Sequence, residues 1–194
     1  MRNKKVFLAI SAILLFVLPA PAQTNCSFKK GYRGTVELGF GAVNGKMQSG
    51  FIKGNTEVSP VDHEQPGEMV RLSTVHGYSF GNGVFIGGGL GWDFELIDGA
   101  QYASFFVDTK YNLKDTSASP FVEGRAGYSF CTNGPKYDTG GLFVNTAVGV
   151  DFGRFTTRMG YEFCPIKQNY RTSVGLDRKF YSMNQFFLSL AFNF

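Results

Sequence analysis

The stretch Phe186-Phe187-Leu188-Ser189-Leu190-Ala191-Phe192-Asn193-Phe194 decides how this chain folds. Phe186, Leu188, Leu190, Phe192 and Phe194 fall on every second position, with Phe187, Ser189, Ala191 and Asn193 between them. A period of two marks an extended strand, whose side chains alternate between its faces. One face is continuously apolar up to the aromatic residue that bears the terminal carboxylate. In water such an end frays. A strand with its apolar face in hydrocarbon and its last ring at a membrane interface accounts for the pattern.

Working outward from this stretch, the same rhythm recurs. Alternation predicts eight strands, over 32–42, 68–80, 84–95, 102–113, 120–131, 141–152, 155–164 and 183–194. Short turns are expected at 81–83, 114–119 and 153–154, where Gly81-Asn82-Gly83 and Gly153-Arg154 supply turn residues. Longer loops are expected at 43–67, 96–101, 132–140 and 165–182. Three short turns at one end and four loops at the other describe an all-β, eight-stranded antiparallel up-and-down transmembrane barrel. Both termini then lie on the short-turn side. Strands of ten to thirteen residues match the roughly 9–11 that a tilted membrane strand needs.

The start of the chain reads as a cleavable signal peptide over 1–22. Arg2, Lys4 and Lys5 precede an apolar run, and Ala20-Pro21-Ala22 offers an A-x-A site. The domain proper is then 23–194. Removing the three leader cations takes the net charge from +4 to +1, so the basic balance gives no support for nucleic-acid binding. No segment after the leader holds the roughly 18 consecutive apolar residues of a spanning helix. The 25 glycines and 21 phenylalanines suit closely packed strands with aromatic girdles.

The two faces of the strands carry different chemistry. One presents Glu37, Arg71, Asp93, Glu95, Asp108, Lys110, Glu123, Arg125, Arg158 and Glu162. An eight-stranded barrel has room inside for little more than side chains. Mixed charges placed there are expected to pair, because an unpaired buried charge is costly. A structural ion-pair network is therefore expected in preference to an ion path or a catalytic carboxylate pair. The other face places Trp92, Phe94, Tyr128, Phe130, Tyr161 and Phe163 near the loop ends. It places Tyr78, Phe80, Tyr111, Phe152, Phe155 and Phe194 near the turn ends, which makes two aromatic belts. The glycines of Gly87-Gly88-Gly89-x-Gly91 lie within a strand, so they are expected to relieve crowding inside a narrow barrel rather than cradle a phosphate.

Few residues suggest other chemistry. His63 falls in a predicted loop and His76 near a turn end, so no metal site is expected. Cys26 follows the leader without a lipobox. Cys131 and Cys164 close two strands at the same end and on the same inner face. An intervening strand sets their ladders roughly 10 Å apart, beyond the roughly 7 Å reach of a disulfide unless the strand ends bend. A bond and two free thiols both remain open. Lys167, Arg171, Arg178 and Lys179 form a basic loop able to meet lipid phosphates.

The leader ending Ala20-Pro21-Ala22-Gln23, the strand Thr35-Val36-Glu37-Leu38-Gly39-Phe40, the hairpin of 141–152 with 155–163 and the terminal Phe192-Asn193-Phe194 resemble the small outer-membrane β-barrel proteins of Gram-negative bacteria. The resemblance covers 23–194. It implies a bacterial outer membrane, loops outside and termini periplasmic. It further implies that the barrel-assembly machinery recognises Phe194 with its outward neighbours Phe186, Leu188, Leu190 and Phe192. No catalytic residues and no cofactor come with it. The function expected is a non-enzymatic, monomeric barrel whose loops serve envelope stability, adhesion or contact with ligands, outer-membrane lipids and lipopolysaccharide. The alternatives are a lipid A-modifying enzyme and a secreted calycin-like carrier, since Gly91-Trp92 resembles part of a lipocalin motif.

Overall fold

The computed structural model describes residues 28–50, 52–53, 56–57, 61–97, 99–133, 139–172 and 175–194. The expected leader, its cleavage site and Cys26 lie outside the described residues. Alternation in the sequence becomes alternation in space. The strands are β1 (Gly31–Gly50), β2 (Ile52–Lys53), β3 (Thr56–Glu57), β4 (Val61–Ser79), β5 (Val84–Glu95), β6 (Gln101–Asn112), β7 (Ser119–Cys131), β8 (Thr139–Asp151), β9 (Phe155–Thr172) and β10 (Gly175–Asn193). β2 and β3 form a two-stranded sheet of their own, and the other eight close into an antiparallel barrel in sequential order.

The last strand closes on the first. Gly34 and Phe194 exchange two backbone hydrogen bonds of 2.9 Å each. The pairing also fixes the stagger of the barrel. From Glu37 the register runs one way through Ser73, Gly91 and Ser104 to Ser129. The other way it runs through Ala191, Thr156 and Asp151 to Ser119. Both walks end on β7, ten residues apart. A shear of ten over eight strands corresponds to a strand tilt of about 40°.

The short turns fall where expected, and Gly81, Gly83 and Gly153 occupy them with φ of 80°, 87° and 82°, values a side chain disfavours. The long loops need correction. Segment 43–67 is largely ladder, because β1 continues to Gly50 and β4 starts at Val61. Segment 165–182 is likewise a hairpin of β9 with β10, paired from Gly175–Thr172 inward. These extensions carry no continuous apolar face, so in the sequence they read as loop. One ladder is interrupted: β8 meets β9 at Gly140–Lys167 and again from Val144–Phe163. Pro165, which has no N–H to offer, stands in the interval.

Sidedness follows the expected pattern. Glu37 is 1% exposed and its neighbour Leu38 59%. The apolar residues Leu90, Phe105, Val107, Leu142, Val148 and Phe186 face outward, and both sets of aromatic residues are exposed on the wall. Inside, glycines make space for rings. A Cβ added at Gly87 would lie 2.8 Å from Phe85 Cζ, and one at Gly89 2.5 Å from Phe106 Cε2. Gly88, between them, points outward.

Candidate functional site

The chemistry of this molecule is concentrated in the lumen, where neighbouring strands bring their inward residues together. The layer nearest the long hairpins centres on Arg71 of β4. Its Nε and Nη2 donate to Asp93 Oδ1 and Oδ2 at 2.6 and 2.8 Å. Its Nη1 and Nη2 also donate to Glu162 Oε2 and Oε1 at 2.6 and 2.7 Å. Such forked pairing suits a planar guanidinium between two carboxylates. Asn145 and Gln185 complete Glu162, donating at 3.0 and 2.6 Å.

The middle layer holds two arginines among three carboxylates. Arg125 Nη2 meets Glu37 Oε2 at 2.8 Å, and its Nε meets Asp108 Oδ2 at 3.2 Å and Glu123 Oε1 at 2.7 Å. Arg158 Nη1 meets the same Glu37 and Glu123 oxygens at 2.9 and 2.7 Å. Arg158 Nη2 donates to Asn145 Oδ1 at 3.2 Å, which joins this layer to the one above. Rings cover the guanidinium faces. Arg125 stands 5.0 Å from the Phe106 centroid and Arg158 4.8 Å from that of Phe187, distances typical of cation–π contact. Nearer the short turns, Lys110 and Arg33 approach Asp151 Oδ2 at 3.2 and 3.5 Å. Lys110 lies over Phe121.

Of the charged residues singled out in the sequence, Glu37, Arg71, Asp93, Asp108, Lys110, Glu123, Arg125, Arg158 and Glu162 join these ion pairs. Glu95 sits above them at the hairpin end of β5, opposite Met69 in the ladder. Asn145 and Asp151, which the alternation places on the inner face of their strand, and Arg33 and Gln185, which sequence reasoning left out, also belong to the network. Strand parity could have found the last two, since each shares the inward phase of its neighbours. A cavity of ≈ 20 Å³ lies beside the middle layer, bounded by Glu37, Lys110, Glu123, Arg125 and Arg158. That is room for about one water.

The remaining candidates are dispersed. Cys131 and Cys164 are free thiols, which corrects the possible disulfide; β8 keeps their strands apart. Cys164 is buried against Phe143 and its cluster. His76 faces outward, between Tyr32 Oη and Thr74 Oγ1. His63, Lys167, Arg171, Arg178 and Lys179 lie in stretches described by backbone alone. Their register pairs His63 with Met47, Lys167 with Phe180, Arg171 with Leu176, Arg178 with Asn169 and Lys179 with Gln168. The basic loop expected there is therefore a paired ribbon. Phe186, Leu188, Leu190, Phe192 and Phe194 take the outward positions of β10 and the chain end; the Phe192 ring packs edge-on against Phe155 at 5.5 Å.

No protein-family model matches the chain, and no curated protein matches it in sequence. Solved structures do. The outer membrane protein OprG from Pseudomonas aeruginosa superposes with a TM-score of 0.53 at 10% identity, over 88% of this chain and 99% of that one. The outer membrane protein AlkL, determined in lipid bilayers, superposes with a TM-score of 0.52 at 10% identity, over 91% and 95%. The fold is that of the small eight-stranded outer-membrane barrels.

Proposed function

We propose that the chain is a non-enzymatic barrel of the Gram-negative outer membrane, with a closed lumen and its contacts with other molecules made by the long hairpins outside. The observation that supports this reading best is the stacked ion-pair network. Three layers of paired side chains cross the lumen, and the cavity beside the middle one admits about one water. A through path for ions would require Arg125 and Arg158 to leave the carboxylates they pair with. A soluble carrier would need its apolar face inward, whereas here that face is turned out.

Planar-bilayer recording tests the closed lumen. The purified barrel is expected to add no channel steps above the bare-membrane baseline at 0.15–1 M salt. Stable, reproducible steps would overturn the reading. A lipid-modifying enzyme is disfavoured on geometry, because the His76 ring meets Tyr32 Oη and Thr74 Oγ1 and no carboxylate that would orient it as a base. Mass spectrometry of lipid A with and without the gene is expected to show identical acylation.

The ribbon of β9 and β10 is the part of this reading that meets anionic lipid. It carries Lys167, Arg171, Arg178 and Lys179 beyond the barrel wall. Changing all four to Gln is expected to weaken retention on lipopolysaccharide about tenfold, since exposed ion pairs contribute up to about 1 kcal/mol each. Unchanged retention would remove the ribbon from that role. In the same reading the termini are periplasmic and the outward face of β10 is what the assembly machinery engages.

A further inference from the structure

The outward wall is not uniform. One register row across β4, β5, β6 and β7 reads His76, Gly88, Val107, Ala126. Leu90 and Phe105 stand above it, toward the long hairpins, and Ile86 below. Gly88 is the low point. A Cβ added there would find only Phe106 O, at 3.8 Å. The result is a cleft of ≈ 520 Å³ on the apolar wall, a size proper to a ligand site. It runs over three strand spacings, roughly 14 Å, and lies between the two aromatic belts.

The one polar corner of the cleft is closed on itself. Thr74 Oγ1 donates to Thr35 O at 3.1 Å, so its oxygen accepts from His76 Nε2–H at 3.0 Å. That tautomer leaves Nδ1 as the acceptor for the Tyr32 hydroxyl. Both ring nitrogens are thus engaged within the protein, and the corner asks no polar group of an occupant. An apolar cleft within the belts, with no free ring nitrogen at its rim, fits plain hydrocarbon. We propose that it seats one acyl chain of a membrane lipid, held in place while the surrounding lipid exchanges. This rests on the membrane placement above.

The barrel is reconstituted in bilayer nanodiscs containing a phospholipid with a photoreactive diazirine midway along one acyl chain. After irradiation the modified residues are mapped by peptide mass spectrometry. Label is expected on β5 and β6 around Gly88 and Val107, about threefold above the opposite wall at Met159 and Leu190, a modest preference of under 1 kcal/mol. Filling the cleft with Gly88→Leu and Ala126→Leu, or with Ala126→Leu alone, is expected to bring that label down to the level of the opposite wall. Val148→Leu, on a flat part of the wall, is expected to leave it unchanged. Heat-modifiable migration confirms that each variant is folded. Even labelling around the barrel, indifferent to the filled cleft, would overturn the site. Crosslinks between two β5 segments would do so as well, by putting a second copy there. An unlabelled outward wall throughout would instead overturn the membrane placement.

Discussion

Arg158→Met is expected to lower the urea midpoint of the folded barrel sharply. Arg158 is 2% exposed and supplies Nη1 to both Glu37 and Glu123. Methionine has similar length and can keep the contact with the Phe187 ring, so the change removes charge more than volume. Glu37, Glu123 and Asp108 would then share Arg125 alone. Removing one member of a buried ion pair costs about 3–5 kcal/mol, because the partner stays desolvated and uncompensated. Against a total stability on the order of 5–15 kcal/mol, that is a large fraction. The measurement is the urea midpoint of the heat-modifiable band after refolding into detergent or lipid. Adding Glu123→Gln is expected to recover part of the loss, since a neutral amide needs no counter-charge. Arg33→Gln serves as the contrast: its side chain is 20% exposed and 3.5 Å from Asp151, so a change below about 1 kcal/mol is expected. A wild-type midpoint for Arg158→Met would mean that packing alone holds the lumen.

The sequence made the wall of this molecule legible and its ends less so. The period-two pattern located all eight barrel strands, because along the wall nearly every second side chain is apolar and turned outward. In the extensions beyond the wall that pattern lapses. Ribbons such as Lys46–Ser49 against Val61–Glu64 carry no apolar face, and their polar composition reads as loop. In the lumen, parity identified which charges face inward but not which pair. Arg71 spans from Asp93 on β5 to Glu162 on β9, and no spacing along the chain encodes that meeting. The cleft was illegible for a different reason. Gly88 was read with the inner glycines beside it, and a residue without a side chain gives no sign of the face it opens. The two cysteines share an end and a face, yet only the intervening β8 decides that they stay thiols.

The inner glycines are where the barrel has least tolerance, and Gly127→Ala is expected to show it. A Cβ at Gly127 would lie 2.6 Å from Phe106 Cβ and 2.8 Å from Phe106 Cα, with Phe105 O closer still. Two of these three atoms are backbone of the adjoining strand β6, so no rotamer change removes the conflict. β6 and β7 would have to separate where Val107–Ala126 and Phe105–Tyr128 pair. Overpacking a tight interior costs about 1–3 kcal/mol where side chains can adjust, and more where they cannot; here about 3 kcal/mol or more is expected. Gly91→Ala is the control. There the nearest atom is Ser104 Oγ at 2.5 Å, the end of a side chain that can rotate, and the next is Phe106 Cε1 at 3.7 Å. A loss below about 1 kcal/mol is expected for it. A second comparison separates ring crowding from backbone conflict. Phe106→Leu added to Gly127→Ala is expected to restore nothing, because the Cα and the Phe105 carbonyl stay where they are. Recovery in that double variant would show that the glycine is there for the Phe106 ring, which lies under Arg125 and meets Phe143 edge-on, and that the two strands have slack the geometry does not suggest.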